Sequence, residues 1–184
     1  RAYEPGTKLG GPIKSLKGII RALTKSHEFY IVTLNVDFGD NAPYAGITAN
    51  KWIKHGDESV YYFLPKDVSL SKLQRLCGDL RPDVIYLSSL FDRVFTLRML
   101  WLKFLKQVNE CQFVIAVRGQ LNKGALHLKS RRKQIGVFIL AKTGLLNDLR
   151  WHATNRLERK RIVSYIFPKL GQKKSPQVVL AEPF

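Results

Sequence analysis

Carboxylates are scarce in this 184-residue sequence, with 14 Asp and Glu against 31 Lys and Arg, a formal net charge of +17. So positive a field draws polyanions: nucleic acid, anionic lipid head groups or phosphate-bearing substrates. Charge alone does not choose among them. Cysteine is scarcer still. Cys77 and Cys111 are too few for a disulfide framework, and each lies in or beside an apolar segment, where a small buried or half-buried side chain is expected. The histidines His27, His55, His127 and His152 have no metal-ligand spacing, and CxxC, HxxxH and HExxH are all missing, so no metal is expected. No apolar run approaches the roughly 18 residues of a membrane span. The opening residues lack the charged, apolar and small-residue succession of a signal peptide, and a cytoplasmic location is expected. No Ser, His and Asp set and no paired carboxylates can be assembled from spacing, so this chain is not expected to be a complete catalyst alone.

What is present is alternation. Short β-branched or apolar runs at Phe29–Leu34, Ser59–Leu64, Val84–Ser88, Phe113–Val117, Arg150–Thr154 and Val178–Ala181 predict strands. Between them lie segments of helical period: Gly11–Lys25, Val68–Cys77, Asp92–Gln107, Ile135–Lys142 and Asn155–Phe167. Asn155 suits a helix cap, with Glu158 at the capping-box position and a stop expected before Pro168. This order is the mark of a three-layer α/β/α, Rossmann-like domain with a mainly parallel sheet. A single domain over residues 1–184 is expected, with Asp37–Lys54 as a long irregular loop and Lys169–Pro176 as a basic hinge.

Three segments carry chemistry. Gly6-Thr7-Lys8-Leu9-Gly10-Gly11-Pro12 stands before the first helix, where unpaired N–H groups favour a phosphate; a tight turn with Pro12 at the first helical position is the structural alternative. The segment is neither GxGxxG nor GxxxxGK[ST], which disfavours a dinucleotide fold and a P-loop kinase. Arg118-Gly119 follows the fourth predicted strand, at the sheet edge where ligands of open α/β folds bind, and an arginine there can clamp a carboxylate or phosphate. The runs Lys129-Ser130-Arg131-Arg132-Lys133 and Arg156, Arg159, Lys160, Arg161 read either as solvated faces or as a surface for an anionic bilayer. The aromatics fall in apolar segments rather than among the basic residues, which argues against specific nucleic-acid binding. His152, within Trp151-His152-Ala153-Thr154, fits an interior histidine better than a catalyst.

Taken in order, Tyr3-Glu4-Pro5-Gly6 with Gly10-Gly11-Pro12, Pro82-Asp83-Val84-Ile85, Arg118-Gly119 followed by Gly124-Ala125-Leu126, Lys129 to Lys133, and Trp151-His152-Ala153-Thr154 with Glu158 form a set spanning nearly the whole chain. The set resembles the N-terminal domain of GT-B-type, family 4 (group 1) retaining glycosyltransferases, which often build bacterial surface polysaccharides. The resemblance implies an acceptor-binding domain facing a nucleotide-sugar-binding domain across a cleft. It implies Gly10 and Gly11 near the donor diphosphate, Ser88, Ser89, Arg118 and Gly119 on the acceptor side, and a basic surface on the inner face of the plasma membrane, where lipid-linked acceptors reside. Many relatives carry a cleft histidine where this chain has Ser88. A leading strand and a C-terminal donor-binding half are expected beyond the sequence given. The readings from other classes are a basic α/β nucleic-acid-binding module and a non-catalytic partner of a separate donor-binding subunit.

Overall fold

A computed structural model of the chain describes residues 2–108, 110–121, 130–170 and 177–181; of residues 130–133 it describes the backbone only. The described chain is α/β, and its contacts divide it into two compact units, one ending at Ser69 and the other beginning at Leu70. The expected fold class, α/β and Rossmann-like with a mainly parallel sheet, is the one observed.

In the first unit, helix α1 (Gly10–Leu23) is amphipathic, with Ile13 and Ile20 buried two turns apart. It packs with Tyr3, Val60 and Tyr62 into one core, flanked by the half-buried Leu16, Phe29, Ile31 and Ile53. Strand β1 (Phe29–Leu34) runs parallel to β3 (Glu58–Phe63), and β2 (Trp52–His55) runs antiparallel to β3 on its other side. The central strand β3 is the best buried, with Val60, Tyr62 and Phe63 fully inaccessible.

Here the structure corrects the expected loop: its last residues, Trp52–Lys54, belong to β2. The cause is the two-residue turn Gly56-Asp57, with Gly56 at φ +66°, which folds β2 straight back onto β3. Trp52 then meets Tyr61 edge to face at 5.3 Å, a cross-strand pair invisible to period counting in so short a run.

The second unit opens with α2 (Leu70–Leu80). It continues through β4 (Val84–Leu87), α3 (Thr96–Phe104), β5 (Gln112–Ala116), α4 (Ser130–Lys142) and β6 (Arg150–Ala153) to α5 (Arg156–Arg161), a π-helical turn (Ile162–Ile166), α6 (Phe167–Leu170) and β7 (Val178–Leu180). The four strands are all parallel and lie in the order β4-β5-β6-β7. Ile115, Ala116, Trp151 and Ala153 of the two central strands are fully buried, as are Leu100 and Leu102 of α3, Val137 of α4, and Ile162 and Ile166.

Helix boundaries differ from expectation for identifiable reasons. The Asp92 carboxylate accepts from the N–H groups of Val94 and Phe95, capping the entry turn, so α3 proper starts only at Thr96. Helix α4 begins at Ser130, before the first apolar periodic residue. The last helix does not stop before Pro168, which lies inside α6. The preceding turn is π-helical, with Phe167 N–H bonded to Ile162 O, and the missing proline N–H falls opposite exposed Ser164, where water can take the carbonyl.

Candidate functional site

Because β4 to β7 are parallel, their carboxyl ends share one edge, and the segments that follow each strand gather there. The turn after β5 is formed by two successive left-handed residues, Arg118 at φ +48° and Gly119 at φ +73°. An L-residue held in that region costs on the order of 1 kcal/mol. Arg81 and Lys106 adopt the same region, at φ +45° and +54°, so the conformation directs the turn and does not by itself single out the Arg118 side chain.

From Arg118 a directed chain of hydrogen bonds crosses the edge. His152 Nε2 lies 2.9 Å from the carbonyl of Ala181, which can only accept, so Nε2 carries the proton. In neutral imidazole Nδ1 is then an acceptor, and it takes the Tyr86 hydroxyl proton at 2.7 Å. The same hydroxyl oxygen accepts from Arg118 Nη2 at 3.1 Å, and the guanidinium also sits 5.9 Å from the Tyr86 ring centre. Burial pushes the Tyr86 pKa up, against a smaller downward pull from Arg118, which keeps the hydroxyl protonated as the chain requires. Three strands, β4, β5 and β6, are thereby tied to the chain after β7.

A second set of bonds fixes the turn itself. The Glu158 carboxylate, only 2% exposed, accepts from Gly119 N–H at 2.5 Å, Thr154 N–H at 2.7 Å and Thr154 Oγ1 at 2.8 Å. Asn155 Oδ1 accepts from Glu158 N–H at 2.8 Å, the cap expected from sequence. The return bond of a capping box goes instead to Thr154, one residue earlier. On the other side Gln120 Nε2 donates to Ser89 Oγ at 2.7 Å, while its Oε1 accepts from Leu90 N–H at 3.0 Å.

Of the residues singled out in the sequence, Ser89, Arg118 and Gly119 are thus joined at one edge, with Ser88 exposed beside Ser89. Tyr86 and Gln120 escaped sequence reasoning. Tyr86 could have been flagged as the only polar-tipped side chain inside the Val84–Leu87 run, two positions before Ser88. His152 is interior, 7% exposed, and also a member of the chain.

Gly10 and Gly11 belong to the first unit, where they open α1 after Leu9, which provides no side-chain cap. A Cβ on either would meet nothing within 4 Å, so packing does not demand glycine there. It does at Gly6, where a Cβ would stand 2.3 Å from Tyr44 Oη and 2.8 Å from Tyr3 O. The loop leading into α1 is held by Asp37, which accepts from Thr7 N–H at 2.8 Å, Lys8 N–H at 3.3 Å and Phe38 N–H at 2.6 Å. Those bonds, the one from Thr7 foremost, hold the Asp37 carboxyl below its usual range. Of the basic residues, Arg156, Arg159 and Lys160 are exposed and Arg161 half-buried. Lys129 lies outside the described residues, as do the side chains of Arg131, Arg132 and Lys133.

Both cysteines are free and half-buried, and burial raises the Cys77 thiol to about 11. No protein-family model, curated protein sequence or solved structure matches the chain.

Proposed function

We propose that this chain is the acceptor-side part of a retaining glycosyltransferase that moves a sugar from a nucleotide-sugar donor to a glycan or lipid-linked acceptor in surface polysaccharide synthesis. The observation that carries the reading is the polar edge of the all-parallel sheet. There Arg118 is oriented by Tyr86 and His152, and Gly119 is pinned by Glu158. A cation held in place beforehand binds an anionic acceptor group without an ordering cost at the moment of reaction. Ser88 and Ser89 offer hydroxyls for a saccharide beside it.

In this reading the first N–H groups of α1, at Gly10 and Gly11, take the donor diphosphate, and no metal or other cofactor is called for. Charge leaving with the nucleotide would be received by those donors. Most donor affinity would come from a second domain, on the same or a separate chain. The exposed Arg156, Arg159 and Lys160 would hold the protein peripherally on the inner, anionic face of the plasma membrane.

Titration of the 15N-labelled chain with a UDP-sugar tests the donor side. Amide shifts concentrated at Gly10 and Gly11, saturating at millimolar concentration, are expected; shifts spread over all basic segments would contradict the reading. The charge of +17 also supports a nucleic-acid-binding module. Filter binding separates the two: tight binding at physiological salt with a sequence or strand preference favours that module, whereas weak, salt-erased binding favours the transferase.

A further inference from the structure

Helices α3 and α4 each bury one face and leave a second apolar face uncovered. Met99, Leu100 and Leu102 of α3 and Val137 and Ala141 of α4 are buried. Opposite them Trp101, Phe104 and the following Leu105 are 43%, 50% and 43% exposed, and Ile135, Phe138 and Ile139 are 57%, 52% and 52% exposed. The carboxyl end of α3 meets the turn that follows α4. Lys103 Nζ donates to Asn147 O at 2.8 Å, just past α4, and the Phe104 ring edge lies 3.8 Å from where a Cβ on Gly144 would stand. Trp101 and Phe104 stack at 5.9 Å, and Lys142 Nζ rides 5.7 Å over the Phe138 ring.

We infer that these outward faces form a lipid-docking surface whose apolar side chains enter an anionic bilayer. Charge selects the occupant. Neither helix carries a carboxylate, whereas both carry cations, and the whole chain stands at +17. A second copy of this chain, equally positive, would be repelled. An anionic lipid interface satisfies both features at once, taking aromatic and aliphatic side chains below the head groups while Lys142, beside Phe138, reaches up to the phosphates. This deepens the membrane part of the reading above and does not depend on sugar transfer. Adsorption by charge alone would leave the apolar residues in water, and here they enter the acyl region.

Trp101 reports its own insertion. In a Trp52→Phe background the remaining tryptophans are Trp101 and the fully buried Trp151. Equimolar phosphatidylcholine and phosphatidylglycerol vesicles with brominated acyl chains should quench Trp101 fluorescence, and vesicles of phosphatidylcholine alone should not. The double variant Phe138→Ser/Ile139→Ser should lose both quenching and flotation by at least about tenfold. Its melting curve should match wild type, because both side chains are half in solvent already. A further variant, Trp101→Phe, keeps the core intact and should abolish the quenching while retaining flotation. Flotation without quenching, flotation unchanged in the double variant, or a Phe138-dependent dimer by light scattering would each overturn the inference. An absence of shifts at Gly10 and Gly11 with a UDP-sugar would leave it standing.

Discussion

At the scale of single residues, buried polar groups set the cost of substitution. Glu158 receives three hydrogen bonds with almost no exposure, so Glu158→Gln removes a charge and turns an amide N–H₂ toward the backbone N–H of Gly119 or of Thr154, neither of which can accept. A loss of about 2–4 kcal/mol is expected, read from urea unfolding. Tyr86→Phe should cost less, about 1 kcal/mol, since only the hydroxyl goes. Its stronger effect should fall on ligand affinity, because Arg118 then loses the oxygen that orients it. Asp37 offers a pH test. Its folded pKa is held below the unfolded value, chiefly by the Thr7 N–H, so its stabilisation is complete above about pH 4 and is lost as pH falls through the folded value. Asp37→Asn should therefore melt below wild type near neutrality, with the gap closing in acid; a gap independent of pH would contradict this.

At the scale of elements, turns decide where short strands go. The Gly56-Asp57 turn needs its glycine, at φ +66°, while a Cβ there would meet Glu58 Oε2 only at an ordinary 3.7 Å. Gly56→Ala should thus cost about 1–2 kcal/mol through backbone conformation alone. Hydrogen exchange should show β2 opening more readily in this variant. The same turn explains what was legible beforehand. The run Phe113–Val117 stands out because a parallel strand paired on both sides is continuously apolar, and Phe29–Leu34 stands out by its β-branched and aromatic residues even though, as an edge strand, it leaves Tyr30 46% exposed. Strand β2 was hidden because a four-residue edge strand containing Lys54 has neither length nor alternation. At the sheet edge, Arg118 and Gly119 were visible from their place after a strand. Tyr86, Gln120 and the full role of Glu158 were not, because their partners lie 30 or more positions away in sequence, beyond any local pattern: Tyr86 reaches Arg118 and His152, Gln120 reaches Ser89 and Leu90, and Glu158 reaches Gly119.

At the scale of the whole molecule, a charge of +17 governs encounters more than it governs the fold. Affinity for DNA at low salt is expected, without strand preference and erased toward physiological salt. What the field cannot supply is selectivity, and the account places that in the edge built by β4 to β7. The most direct measurement is the affinity of the chain for a water-soluble, short-chain prenyl diphosphate sugar, wild type against Arg118→Asn. Asparagine tolerates the left-handed backbone, so the fold is kept while the guanidinium is removed. The account predicts at least about tenfold weaker binding in the variant, the scale of one lost charge-assisted contact. Equal affinity in the two proteins would contradict it.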